Sequence, residues 1–159
     1  MIYLIILSVI LIDYLISYFV PNYFNTLGLC PMFTLTFIVF YFKKSKSKNY
    51  LKNVLITGFL YDLFFSYIFL FNTLVFLLFG KILIKVDKMI RYNNFISILM
   101  LILFIFLYDL ILFILVYISE YNIASFSDLI YKFSHSLLLN IGFYLWLLVI
   151  FKNKKILDK

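Results

Sequence analysis

Three aspartates, Asp13, Asp62 and Asp109, lie inside long apolar runs and are the residues whose placement most demands an explanation. An ionisable group in hydrocarbon costs roughly 2.5–3.5 kcal/mol on insertion scales, so each such carboxyl faces a neighbouring helix, a water-filled cavity or a partner protein. Two uses are open. The three can converge on a shared polar site for a ligand or a partner helix, or each can be held separately by hydrogen bonds to Tyr, Ser or backbone groups. Other reactive residue types do not assemble. His135, between Ser134 and Ser136, is the single histidine, has no Gly-x-Ser-x-Gly context, and reads as a helix-end histidine. Cys30, beside Pro31, is the single cysteine and reads as a small apolar residue next to a turn former. One Cys and one His make no conventional metal cluster. Gly28, Gly58, Gly80 and Gly142 are too dispersed for a phosphate-cradling loop. The expectation is a protein that is not an enzyme, with no catalytic residue, metal or cofactor.

The elements that position the aspartates follow from composition. Of 159 residues, 66% are hydrophobic and 13% charged, against roughly half and a quarter in soluble domains. A soluble fold of this size would carry intolerable apolar patches, so the natural solvent is a bilayer. The 21 Phe and 14 Tyr accompany a general Ile, Leu, Asn and Lys bias with Ala124 as the only alanine. They are read as lipid-facing and core packing rather than as a stacking platform. Disorder, a disulfide-stapled domain and a nucleic-acid module are excluded by the same composition, because the basic residues sit between apolar runs.

A hydrocarbon core of ~30 Å takes ~20 apolar residues per helix. The apolar runs are Ile2 to Val20, Phe24 to Phe42, Val54 to Val86, Phe95 to Ser119 and Leu129 to Phe151. The third is long for one span, and Phe71-Asn72-Thr73 offers a turn-compatible break within it. Charge arbitrates. Lys43, Lys44, Lys46, Lys48 and Lys52 precede that run, and Lys81, Lys85, Lys88 and Arg91 close and follow it. A single crossing would place these clusters on opposite sides, against the accumulation of Lys and Arg in cytoplasmic loops. A hairpin of two short helices places both inside. The expected fold is an all-α integral membrane protein, one transmembrane domain over 1–159. It is a six-helix bundle with spans near 2–20, 24–42, 54–70, 73–86, 95–119 and 129–151 and both termini cytoplasmic. Lys132 is then the only basic residue of 14 outside. The first run has no Lys or Arg before it and carries Asp13, so it reads as a retained helix rather than a signal peptide. In the outer loop from Glu120 to Asp128, Ser125, Ser127 and Asp128 read as caps for the last span.

In this topology the three aspartates occupy helices one, three and five, which run in the same direction, and they can lie at similar depth. Phe59-Leu60-Tyr61-Asp62-Leu63 and Phe106-Leu107-Tyr108-Asp109-Leu110 are the same five residues, as in a parallel repeat. Gly58, one turn before Asp62 on the same face, permits a close helix approach beside the acid.

The segment Gly58-Phe59-Leu60-Tyr61-Asp62-Leu63-Phe64-Phe65, followed by Asn72-Thr73-Leu74 and Gly80, resembles the signature of the rod shape-determining protein MreD family. In that family a Gly-Phe-Leu-x-Asp-Leu helix leads through a short turn into the next span and a further glycine. Pro31 at the head of the second apolar span is similar to the family's proline there. Where the family often has Pro and Gly in the turn, this chain has Ser66-Tyr67-Ile68-Phe69-Leu70-Phe71.

The resemblance implies a non-enzymatic component of the bacterial inner membrane that works in cell elongation and cell shape. It implies an MreC-like binding partner and, indirectly, an MreB-like actin, a SEDS glycosyltransferase and a class B penicillin-binding protein, with regulation of peptidoglycan synthesis as the outcome. It also implies a fold similar to the substrate-binding subunits of energy-coupling factor transporters. Gly58, Asp62, Asn72, Gly80 and Pro31 are the expected partner-binding or structural motif, and membrane lipids the surrounding ligands. Self-association stays open. The alternative reading is a small-molecule-binding substrate subunit of an energy-coupling factor transporter, with the aspartates as its pocket. Such subunits commonly dock through small residues in the first helix, and Ile2 to Val20 has no Ala or Gly.

Overall fold

The computed structural model describes residues 2–19, 31–45, 49–65, 70–90, 93–119 and 126–151. They form six helices, α1 (Ile2–Phe19), α2 (Phe33–Ser45), α3 (Tyr50–Phe65), α4 (Phe71–Met89), α5 (Asn94–Ser119) and α6 (Phe126–Ile150). The break expected at Phe71-Asn72-Thr73 is the start of α4, so the long third run is a helical hairpin. The second helix, expected from Phe24, is described from Phe33, and Gly28 and Cys30 lie outside the described residues.

Side-chain pairings fix the directions. Tyr3 reaches Asn53 and Tyr14 meets Phe64 and Phe65, so α1 and α3 run parallel. Phe42 meets Tyr50 and Tyr41 meets Asn53, Asn72 meets Tyr108 and Phe79 meets Phe104, and Asp109 meets Lys132 and Ser97 meets Tyr144, so each of α2–α3, α4–α5 and α5–α6 is antiparallel. The helices therefore alternate, and the start of α1 and the end of α6 lie at the end of the bundle that carries Lys52, Lys81 and Lys85. Within α5 and α6, Asn94–Leu115 and Leu129–Ile150 are each 22 residues long and apolar enough to cross a bilayer, at about 33 Å of helix. The apolar stretches Ile2–Ser17 and Phe33–Lys43 are shorter.

The core forms around α2. Every residue from Met32 to Phe42 is buried, and α2 touches all five other helices. An element apolar on every side has no solvent face to offer and takes the central position. The surrounding helices bury polar groups alongside apolar ones and carry large apolar side chains on their outer faces. On α3 the inward face carries Asn53, Thr57, Gly58 and Asp62, while Leu55, Phe59 and Leu63 point outward. On α4, Asn72 and Thr73 are buried while Leu74 and Leu78 are exposed. Polar groups turned inward with large apolar groups on the outer surface is a distribution that lipid tolerates and water does not.

Candidate functional site

The aspartates do not meet in one pocket; each serves a different helix junction. Asp13, buried on α1, accepts the backbone N–H of Phe33 at 2.9 Å on Oδ1. Its Oδ2 accepts the N–H of Thr34 at 2.7 Å and the Thr34 hydroxyl at 2.6 Å. The preceding N–H, that of Met32, goes to Asn140 Oδ1 on α6 at 3.0 Å. The first helical turn leaves N–H groups with no intrahelical acceptor, and in a bilayer each orphan costs several kcal/mol. Proline has no N–H to satisfy, and Pro31 stands immediately before these three captured donors. Asn140 is itself held by donating from Nδ2 to the Ser136 carbonyl at 2.8 Å, and its Oδ1 lies 3.2 Å from the Thr36 hydroxyl.

The same device recurs in the α3–α4 hairpin. Asp62 Oδ1 accepts the N–H and the side-chain amide of Asn72, both at 2.9 Å. Oδ2 accepts the N–H of Thr73 at 2.8 Å and its hydroxyl at 2.6 Å. The carboxyl group thus faces the positive end of α4 and accepts four hydrogen bonds there. Leu70, the residue at the N-cap position, makes no side-chain cap; the carboxylate from the previous helix does that work. Gly58 makes the approach feasible. A methyl there would stand 2.6 Å from Thr73 Cα, so the two backbones touch only because the position is glycine. Gly80 lies at the other end of the same contact, where a methyl would come within 3.2 Å of Leu51 Cδ2 and 3.4 Å of the Tyr50 ring.

Asn72 extends this junction to α5, because its Oδ1 accepts the Tyr108 hydroxyl at 2.7 Å. Beside Tyr108, Asp109 is wholly buried but receives no hydrogen bond on either oxygen among the described residues. Its nearest charge is Lys132 on α6, with Nζ 3.6 Å from Oδ1. Two further polar clasps complete the bundle. The Tyr144 hydroxyl donates to Ser97 Oγ at 2.6 Å, and Asn53 Nδ2 donates to the Tyr41 hydroxyl at 2.8 Å.

The depth of the first junction is informative. Asp13 lies about 16 Å along α1 from Ile2, and Asn140 about 15 Å along α6 from Ile150, so the junction sits well away from the ends of both helices. Helix N-termini at mid-membrane commonly receive an anionic substrate in transporters. Here the group that meets the helix N-terminus is the protein's own side chain. A cavity lined by Met32, Leu35, Tyr61, Phe76 and Tyr108 lies beside the junctions, and its ≈ 10 Å³ fits a single water, against several hundred Å³ for a drug-sized ligand.

Sequence reasoning singled out Gly58, Asp62 and Asn72, which the structure brings together, and Gly80, which packs farther down the same hairpin. It did not find Asn140, Thr34, Thr36, Tyr108 or the Lys132 pairing. A polar residue in an apolar run was the available signal for Asn140, and a lone outer lysine was the signal for Lys132. His135 faces its own helix, its Nδ1 2.8 Å from the Tyr131 carbonyl and its ring tilted against that of Tyr131 with centroids 4.1 Å apart.

The model of the rod shape-determining protein MreD family matches residues 1–154 of this chain. The chain belongs to the MreD family. A relative described as the cell shape-determining protein MreD of Streptococcus pneumoniae (strain ATCC BAA-255 / R6) is 27% identical over 141 residues, covering 88% of this chain and 84% of the relative. No solved structure matches this chain significantly. Membership in the MreD family gives the chain a role in bacterial cell shape and a place in the bacterial membrane.

Proposed function

We infer that this chain is a non-enzymatic, multi-pass scaffold of the inner membrane, crossing six times with both termini cytoplasmic. In this reading it binds an MreC-type partner and thereby tunes peptidoglycan synthesis in the elongation complex, alongside an MreB-like actin, a SEDS glycosyltransferase and a class B penicillin-binding protein. One observation carries the scaffold reading: Asp13 and Asp62 are already saturated by donors of this chain's own helices. Groups spent on fixing helix positions serve a rigid docking surface, and they are not available to a substrate. The same observation weighs against a vitamin-type binding subunit of an energy-coupling factor transporter.

Gly58, Asp62, Asn72, Gly80 and Pro31 then act on the partner indirectly. They lock the α3–α4 hairpin and the head of α2, and the locked hairpin presents Leu55, Phe59 and Leu63 outward in an i, i+4, i+8 ridge. Packing and a few polar contacts supply affinity between helices in lipid. The test is purification of the tagged protein in mild detergent from its native membrane, with mass spectrometry of the proteins that accompany it. A single-span MreC-like protein together with a penicillin-binding protein is the expected result. Recovery of paired ATPases and a coupling membrane subunit would overturn the scaffold reading.

A further inference from the structure

Lys132 is, among the described residues, the basic side chain at the end of the bundle opposite Lys52, Lys81 and Lys85. We propose that its ammonium, seated on the buried carboxylate of Asp109, is a binding site for the phosphodiester of a membrane lipid in the leaflet away from the lysine-rich end. The proposal rests on the multi-pass reading above.

Three observations carry it. The first is depth. Lys132 lies about 27 Å along α6 from Ile150, close to the ~30 Å thickness of a hydrocarbon core, so its flexible stem reaches the headgroup border. The exposed aromatics agree: Phe126, Tyr131 and Tyr117 gather at this end and Trp146 at the other, as interfacial belts do.

The second is the division of exposure within the ion pair. The Asp109 side chain is 0% exposed and that of Lys132 39%. The carboxylate is therefore sealed beneath the lysine and holds it in place, while the lysine side chain stays partly exposed.

The third is unmet hydrogen bonding. At 3.6 Å the pair is an electrostatic contact beyond the usual hydrogen-bond range, and no donor reaches either Asp109 oxygen among the described residues. An ammonium has three N–H donors, and at the border of a bilayer the abundant strong acceptors are lipid phosphate oxygens. Asp109 cancels the charge of Lys132, so the site recognises the phosphate group as a hydrogen-bond acceptor and makes little distinction between zwitterionic and anionic lipids. That separates it from the Lys81, Lys85 and Lys88 stripe, exposed at i, i+4 and i+7 on α4, which has the geometry to favour anionic headgroups.

The test is native mass spectrometry of the full-length protein released from nanodiscs of equal phosphatidylglycerol and phosphatidylethanolamine. The wild-type protein should retain a lipid with about five-fold higher affinity than Lys132→Leu, the net worth of one hydrogen bond, with little preference between the two lipids. Lys132→Arg should restore retention. If Lys132→Leu fails to fold with Asp109 left unpaired, the double variant Asp109→Asn/Lys132→Leu removes both charges and should show the same loss. Equal retention by the wild type and both leucine variants overturns the proposal and leaves the scaffold reading intact, whereas failure to reconstitute into the nanodisc overturns both. A gain in stability of the delipidated protein with inorganic phosphate, absent in Lys132→Leu, would assign the site to free phosphate and overturn the lipid assignment.

Discussion

The α3–α4 hairpin and the α5–α6 hairpin carry the same pentapeptide, Phe-Leu-Tyr-Asp-Leu, on their first helix, and the structure uses its aspartate in two unlike ways. In α3, Asp62 sits level with the first turn of the following helix and collects four donors from Asn72 and Thr73. In α5, Asp109 sits level with Lys132, six residues into α6, beyond reach of that helix's free N–H groups. The distance from the aspartate to the end of its helix decides its role: α3 ends at Phe65, so the next helix begins level with Asp62, whereas α5 runs on to Ser119 and α6 begins well beyond Asp109. The closer match to Asp62 is Asp13, which shares no such pentapeptide but faces an identical Xaa-Thr pair, Phe33-Thr34 against Asn72-Thr73.

The largest effects should come from truncating the two carboxylates side by side. Asp62→Ala strands two backbone N–H groups, an amide and a hydroxyl in a low-dielectric interior, and should destabilise the protein by about 3–5 kcal/mol. Asp109→Ala strands no donor, and Lys132 is half-exposed and can turn to the headgroups, so about 1–2 kcal/mol is expected. Reversible unfolding in mixed micelles, followed by circular dichroism, reads both. Equal losses would break the comparison, since they would mean that Asp109 has the same capping load as Asp62. Asp13→Ala should fall with Asp62→Ala.

Much of this arrangement was legible in the sequence, for identifiable reasons. Six helices followed from apolar run lengths and from the parity of the lysine clusters, and the hairpin break followed from Asn72 and Thr73 inside an apolar run. The three aspartates stood out because lipid makes carboxyls expensive. Their partners did not stand out, because the pairings join residues far apart in the chain: Met32 with Asn140, 108 positions away, and Asn72 with Tyr108, 36 away. A backbone N–H leaves no trace in composition, so a carboxylate that caps a helix looks in sequence like one that lines a pocket. The repeated pentapeptide pointed to Asp62 and Asp109 as equivalents, which the backbone beyond them undoes.

The glycines sharpen the comparison at a smaller scale. Gly58→Ala forces α3 and α4 apart by placing a methyl 2.6 Å from Thr73 Cα, a backbone atom that no rotamer change can move, and should cost about 1–3 kcal/mol. Because the shift also lengthens the Asp62 bonds, Gly58→Ala and Asp62→Ala should be less than additive in a double-mutant cycle. Gly80→Ala meets the end of a leucine side chain, which can move, and should cost less. On α6, Gly142 has nothing within 4 Å of the corresponding position, so Gly142→Ala should be neutral or stabilise by about 0.5–1 kcal/mol through helix propensity. Additivity of the Gly58 and Asp62 losses would show that close packing and capping are independent.

The smallest effect lies in the turn. Leu70 has φ 63° and ψ 8°, the left-handed region, where a β-carbon costs an L-residue about 1–2 kcal/mol. The position tolerates this because α4 begins immediately after it, with Leu74 N–H returning to the Leu70 carbonyl at 3.0 Å, and Asp62 fixes Asn72 and Thr73 from across the hairpin. Leu70→Gly removes the steric penalty but releases conformational freedom in the unfolded chain, so the net gain should be about 0.5–1 kcal/mol. The gain depends on the cap that holds the turn. In an Asp62→Ala background the first turn of α4 can relax away from the strained conformation, and Leu70→Gly should then stabilise little or not at all. An undiminished gain in that background would place the strain in the turn itself and separate it from the carboxylate.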